Sequence, residues 1–239
     1  MIDAHAHLGD EWEIDARIRG GVRTLMCGTD PDSARSVLAV CAQRKLFTPC
    51  CALHPWKAGA YAAEDMLPWL DQCPVVGETG LDAAWCDTPM RAQIEALIFN
   101  LDYAQRTLKP VVLHTKGAEQ EVARILRPYI VRKLVHWYSC DRPPLGFLEQ
   151  DCYFTIGPDV RTNPAVRRVA ALAPLERLLI ESDGMEAVRW ARSAPAPAEA
   201  LPEVLRDEAR AIAEIRGIAA EAAEAALERN YDRFLGGAG

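Results

Sequence analysis

Eight short apolar runs recur along the chain, each followed by a longer amphipathic or polar stretch. They lie at Met1 to Leu8, Thr24 to Thr29, Phe47 to His54, Pro74 to Gly80, Pro110 to Thr115, Lys133 to Tyr138, Cys152 to Gly157 and Arg177 to Asp183. Neighbouring strands that run in the same direction need a crossover of a dozen or more residues between them, usually a helix, so this alternation predicts a parallel sheet. Eight such units in 239 residues fit a (β/α)8 TIM-type barrel, an α/β fold of about 250 residues. Helical periodicity is clearest from Thr88 to Leu108, where Ile94, Leu97, Ile98, Leu101 and Ala104 recur at spacings of three and four and should face the barrel. Glu119 to Leu126, Ala165 to Leu172 and Asp207 to Phe234 read the same way, the last broken near Gly217. Ala191 to Pro202 is rich in alanine and proline and reads as a linker. The helical C-terminal tail beyond it is too short for a core of its own, so residues 1–239 are expected to form a single barrel domain.

The formal net charge of -7 argues against a broad basic surface that would hold duplex nucleic acid by releasing counterions. It leaves room for a phosphodiester drawn in locally by cations in a pocket. No apolar run approaches the roughly 20 residues that span a bilayer, and MIDAHAHLGDEW has no basic region leading into an apolar one. A soluble, cytoplasmic protein with no membrane contact and no obligate protein partner is therefore expected. The eight cysteines form no C-x-x-C pair and sit largely in apolar stretches, which suits small buried hydrophobes in a reducing compartment. Cys50 and Cys51 are adjacent on a strand and should point to opposite faces.

All five histidines fall at or just beyond the C-terminal ends of apolar runs: His5, His7, His54, His114 and His136. In a (β/α)8 barrel that end carries the catalytic groups, because its loops converge on the mouth. His5 and His7 are two residues apart on a strand, so their imidazoles share a face and can bind one cation. The alternative, a pair of core imidazoles, would bury two polar rings side by side at considerable cost. Glu78 closes PVVGETG and could bridge two metals, one carboxylate oxygen to each. On this reading Asp183, ending RLLIESD, completes the first metal, while His114 and His136 complete the second. Glu181, two residues before Asp183, should also face the interior and support the ligands.

The motifs DAHAHL, ALHPW, GETGLD, PVVLHTK, LVHWYSC and LLIESD stand in the order and spacing of the TatD family of metal-dependent deoxyribonucleases, which the chain resembles over nearly its whole length. The helix MRAQIEALIFNLDYAQRTLKP and the ending NYDRFLG resemble that family as well. The resemblance implies a first metal on His5, His7, Glu78 and Asp183 and a second on Glu78, His114 and His136. It also implies His54 as a substrate contact, although a hydrogen bond shaping the third loop is an equal alternative. Lys116 stands where many relatives carry arginine, either touching phosphate or solvated. The chain departs from the family after Asp183, in DGMEAVRWARSAPAPAEALPEVL, so the role of residues 184–205 is open, and LDAAWCDTP lacks the tyrosines common there.

These readings predict hydrolysis by two divalent cations, zinc, manganese or magnesium, with Glu78 and Asp183 as catalytic carboxylates and Asp183 also accepting a proton. The expected substrate is single-stranded DNA or a nucleotide-like phosphodiester. Trp56, Trp85, Trp137 and Tyr138 follow strand ends and are candidates for stacking on bases, with structural packing the expected role of at least half of them. The same chemistry acts on carbonyl centres, so a small-molecule ester, lactone or amide is the alternative substrate. A metal-binding barrel that has lost catalysis and serves as an interaction protein is a third reading.

Overall fold

A computed structural model describes residues 1–237. Eight strands form one parallel sheet in sequential order. They are β1 (Ile2–His7), β2 (Arg23–Gly28), β3 (Phe47–Cys51), β4 (Val75–Gly80), β5 (Val111–His114), β6 (Lys133–Val135), β7 (Tyr153–Ile156) and β8 (Leu178–Ile180). Helices α1 (Glu11–Arg19), α2 (Pro31–Ala42), α3 (Leu67–Leu70), α4 (Met90–Thr107), α5 (Glu119–Ile125), α6 (Leu145–Leu148), α7 (Pro164–Leu172) and α8 (Met185–Arg192) follow the strands in turn. The tail is α9 (Leu201–Arg216) and α10 (Ala220–Leu235). The sheet curls into a nearly closed (β/α)8 barrel, with the Asp183 amide donating to the His5 carbonyl across the seam between β8 and β1 (3.1 Å). No helix among the described residues is long and apolar enough to cross a membrane.

The strands are short, apolar and buried because helices cover one face and the barrel's own interior fills the other. Cys50 lies beside Cys27 and Cys51 beside Cys73, so the adjacent pair does part to opposite faces. On α4 the buried stripe runs through Gln93, Ala96, Leu97, Asn100, Leu101 and Ala104, whereas Ile98, expected on it, is exposed. Polar Asn100 takes the place of an apolar residue because its amide donates to the Leu53 carbonyl (3.3 Å) and Thr79 Oγ1 (2.9 Å), tying α4 to the ends of β3 and β4. Each buried leucine of that stripe contributes roughly 1.5–3 kcal/mol.

One stretch differs from expectation. The supposed linker is largely helical: α8 continues through Arg192, and α9 begins at Leu201 with Pro202 in its first turn, where no intrahelical amide is needed. Only residues 193–197 are irregular, ahead of a 3-10 turn at Ala198–Ala200. The long C-terminal pattern breaks at Gly217 as expected, where a left-handed conformation (φ 65°) ends α9. The expected third and eighth runs also overreach, since β3 stops at Cys51 and β8 at Ile180, leaving His54, Glu181 and Asp183 on loops.

Candidate metal centre

The strands that carry His5 and Glu78 both slip register beside those residues. β1 shifts between Asp3 and Ala6, and β4 between Val76 and Thr79. Such bulges re-aim side chains. Asp3 turns to Arg17 on α1, while His5 and His7 turn inward toward Glu78. His114 ends β5 and His136 follows β6 directly.

Glu78 lies at the centre, fully buried, with its two oxygens facing different partners. Oε2 is 3.4 Å from His5 Nε2 and 3.2 Å from His7 Nε2. Asp183 Oδ1 completes this first group at 3.2 and 3.5 Å from the same two nitrogens. Oε1 is 2.8 Å from both His114 Nδ1 and His136 Nε2, and those nitrogens are 3.3 Å apart. A tetrahedral shell of radius about 2.0–2.1 Å sets neighbouring donors about 3.3–3.4 Å apart. The first group's spacings of 3.2–3.5 Å fit that shell. Moreover His5 Nε2, Glu78 Oε2 and Asp183 Oδ1 are buried without a hydrogen-bond partner, an arrangement that a bound cation would satisfy. These residues could hold a metal on each side of Glu78.

The remaining ring nitrogens are occupied in ways that set each imidazole's role. His7 Nδ1 meets the Cys27 carbonyl at 3.3 Å and His5 Nδ1 meets Cys27 Sγ at 3.2 Å, leaving both Nε2 atoms for the centre. His114 Nε2 donates to Asp82 Oδ2 (3.0 Å), which leaves Nδ1 free to bind. His136 Nδ1 is 3.5 Å from Glu181 Oε1, an ionic contact rather than a hydrogen bond. Glu181 thus faces the interior beside a ligand candidate, although not by strand alternation. His54 differs: its Nδ1 accepts the Trp56 amide (3.2 Å), so Nε2 carries the proton, 3.5 Å from Glu78 Oε1. It is a donor aimed at the centre rather than a lone pair for a cation.

The electrostatics call for positive charge. Burial alone would raise Glu78, but the surrounding imidazoles, His136, His54 and His5 foremost, hold it well below the usual carboxylate range. Asp183 is likewise pulled down against its burial by His5 and His7. Burial works to lower His7 and His136, yet hydrogen bonding and charge from Glu78 and its neighbours raise them to about 8 and about 10. For His54 burial prevails and its pKa falls to about 4, so the ring is neutral at physiological pH. Burial keeps Glu181 above the usual range.

Lys116 donates to Ser139 Oγ (3.0 Å), with its ammonium 4.2 Å from the centre of the Trp85 ring. Tyr138, a stacking candidate by sequence, is only 4% exposed and packs against Phe147 and Phe154, so it is a core residue. Trp56 spends its indole N–H on Asp82 Oδ2 (2.7 Å). Three residues that shape the site escape the strand-end argument. Asp82 orients His114 from the loop after β4, and its place in GETGLD was the available signal. Asp3 accepts from the Ser182 amide (2.9 Å) and hydroxyl (2.6 Å), fixing the turn that presents Asp183. Arg17 is fully buried and donates to Asp3, Glu13 and Ser182, bracing that turn; nothing in the sequence distinguishes it from a surface arginine on α1.

Known proteins resemble this chain in sequence and in fold. The family of TatD related DNases matches residues 2–236. The chain is 31% identical over 214 residues to a Mycobacterium tuberculosis protein described as an uncharacterized metal-dependent hydrolase TatD, covering 77% of this chain and 79% of that one. It is 30% identical over 197 residues to the uncharacterized metal-dependent hydrolase YcfH of Escherichia coli K12, covering 77% and 72%. A Citrobacter rodentium protein named as a 3'-5' ssDNA/RNA exonuclease TatD is 28% identical over 197 residues, covering 77% and 75%. Among solved structures, YJJV, a TatD homolog from Escherichia coli K12, superposes with a TM-score of 0.83 at 23% identity over 98% of this chain and 97% of that one. With its barrel, its match across nearly every residue and its relatives above, this chain belongs to the TatD family of metal-dependent hydrolases.

Proposed function

We propose that this chain hydrolyses phosphodiester bonds in single-stranded DNA, with two divalent cations as cofactors. His5, His7, Glu78 and Asp183 hold one cation, and Glu78, His114 and His136 the other. The observation that carries the reading is the division of the Glu78 carboxylate, whose two oxygens face two separate sets of donors. Cations held there would supply an activated water and offset the charge that develops on the phosphoryl oxygens. Asp183, kept ionised by His5 and His7, accepts the proton released as water attacks. His54 stays neutral and directs its Nε2 proton toward a substrate oxygen. Glu181 supports His136 from behind. The exonuclease name of the Citrobacter rodentium relative supports a single-stranded substrate.

The test has two parts. Metal equivalents are counted for the native chain and a Glu78→Ala variant, with near two expected in the native chain and a marked loss in the variant. Metal-loaded native protein is then assayed on single-stranded DNA beside a panel of esters, lactones and amides. Turnover confined to the panel would replace the nuclease reading with the small-molecule one. A native chain that binds no metal after reconstitution would overturn both.

A further inference from the structure

Three indoles meet above the metal centre. Trp190 on α8 lies edge-to-face with both Trp85 and Trp137, each 6.0 Å away between ring centres. Each follows a residue of the centre along the chain: Trp85 comes after Glu78 on the β4 loop, Trp137 directly after His136, and Trp190 after Asp183 on the helix that opens at Met185. All three therefore stand at the mouth. Two are anchored to their loops. The Trp85 amide donates to Asp82, the carboxylate that also receives His114. Trp137 donates its indole N–H to Asp159 (2.8 Å) and lies against Gly157, where an added Cβ would come within 2.8 Å of the ring. Braced on both sides, Trp190 nonetheless remains 65% exposed. A surface indole this open has a large unsatisfied apolar area, and beside it Lys116 is fixed between the Trp85 face and Ser139.

We infer that Trp190, supported by Trp85 and Trp137, is a stacking platform for a nucleobase of a single-stranded nucleic acid entering the barrel, with the Lys116 ammonium pairing an adjacent phosphate. The choice of ligand rests on the nuclease reading above. An unpaired base offers a planar π-face that a duplex hides, and indole stacking is tolerant of sequence. One ammonium beside the rings supplies local positive charge on a chain of net charge -7 that lacks a general pull on polyanions. Residues 184–205, where the sequence leaves the family pattern, thereby contribute a substrate contact.

Binding can be read without turnover, by anisotropy on metal-depleted full-length protein. The probes are a labelled oligothymidylate and an abasic deoxyribose-phosphate chain of the same length. The native chain is expected to prefer the thymidylate. Trp190→Ala should lose that preference by about 5- to 100-fold with abasic binding unchanged, and Trp190→Phe should restore part of it. Trp190 is mostly solvent-exposed, so its removal leaves the core intact. Equal binding of both probes by the native chain, or an unchanged preference in Trp190→Ala, overturns the platform. A Trp190→Ala defect seen only with planar aromatic esters overturns it too. Hydrolysis by metal-loaded native protein is scored separately. Base-dependent binding without DNA turnover refutes the nuclease reading and leaves the platform standing; turnover without base dependence does the reverse.

Discussion

On the two-cation reading, replacing Asp82 with asparagine should weaken one metal and spare the other. The Asp82 carboxylate only accepts hydrogen bonds: Oδ1 from the amides of Ala84 (2.8 Å) and Trp85 (2.7 Å), Oδ2 from Trp56 Nε1 (2.7 Å) and His114 Nε2 (3.0 Å). Asparagine can keep its oxygen on the two amides, but its NH2 group then faces two donors. His114 escapes the clash only by moving its proton to Nδ1, the atom that faces Glu78, and so loses the lone pair that would bind a cation. Loss of such an outer partner costs 10- to 100-fold in metal affinity as a rule, or about 1.4–2.7 kcal/mol. The first donor group has no contact with Asp82 and should keep its affinity. The assay is competition with a chromogenic chelator, which resolves two equivalents in the native chain and should show one of them weakened in Asp82→Asn. Two native affinities in the variant, within about twofold, would refute this account of His114.

Arg17→Met leaves the Asp3 and Glu13 carboxylates without their buried cation and should cost about 3–5 kcal/mol in urea unfolding; a loss below about 1 kcal/mol would show that the cluster is not structural. Glu208 on α9 is buried with neither oxygen hydrogen-bonded, and burial, aided by the charge of Asp3, holds its pKa well above the usual value. The folded chain thus keeps a proton that the unfolded chain loses above about pH 4.5, so this group lowers stability progressively as pH rises past that value. Glu208→Gln should therefore gain stability over the native chain between pH 5 and pH 8, and an identical difference at both would contradict it. In the metal-free protein His7, raised to about 8, adds stability that is complete below its unfolded value of 6.5 and lost as pH rises through 8. A cation must displace that proton, so metal affinity should weaken as pH falls below about 8. Calorimetry at pH 7 in buffers of different ionisation enthalpy should register proton release, and its absence would refute the assignment of charge.

The barrel is legible in the sequence because each strand is a compact apolar run and each crossover helix repeats with its own period. The candidate donors are legible for a related reason: a polar residue terminating such a run has the barrel mouth as its natural destination. What the sequence hides depends on departures from regular geometry. Strand alternation would put Asp3 on the face of His5, and only the register slip in β1 separates them. Glu181 and Asp183 share an orientation although β8 ends before either, because the Ser182 turn is held by Asp3 and Arg17. Tyr138 and Trp190 exchange the roles that position suggests. The residue after Trp137 turns into the core, while a tryptophan in an alanine- and arginine-rich helix, with no strand end beside it, reaches the mouth.

The turn at Ser182 also bears on how the protein comes into being. Its contact with Asp3 spans 179 residues, and the first donor group draws on both the first strand and the segment after the last. A nascent chain that has emerged only as far as His136, just past β6, carries Glu78, His114 and His136 but not Asp183. The proposed first cation site cannot be complete until the last strand docks on the first, a late and long-range event in a parallel topology. Incomplete chains therefore lack one donor of the first group, and capture of that cation would mark the closed barrel and stabilise it against reopening at its one unladdered seam.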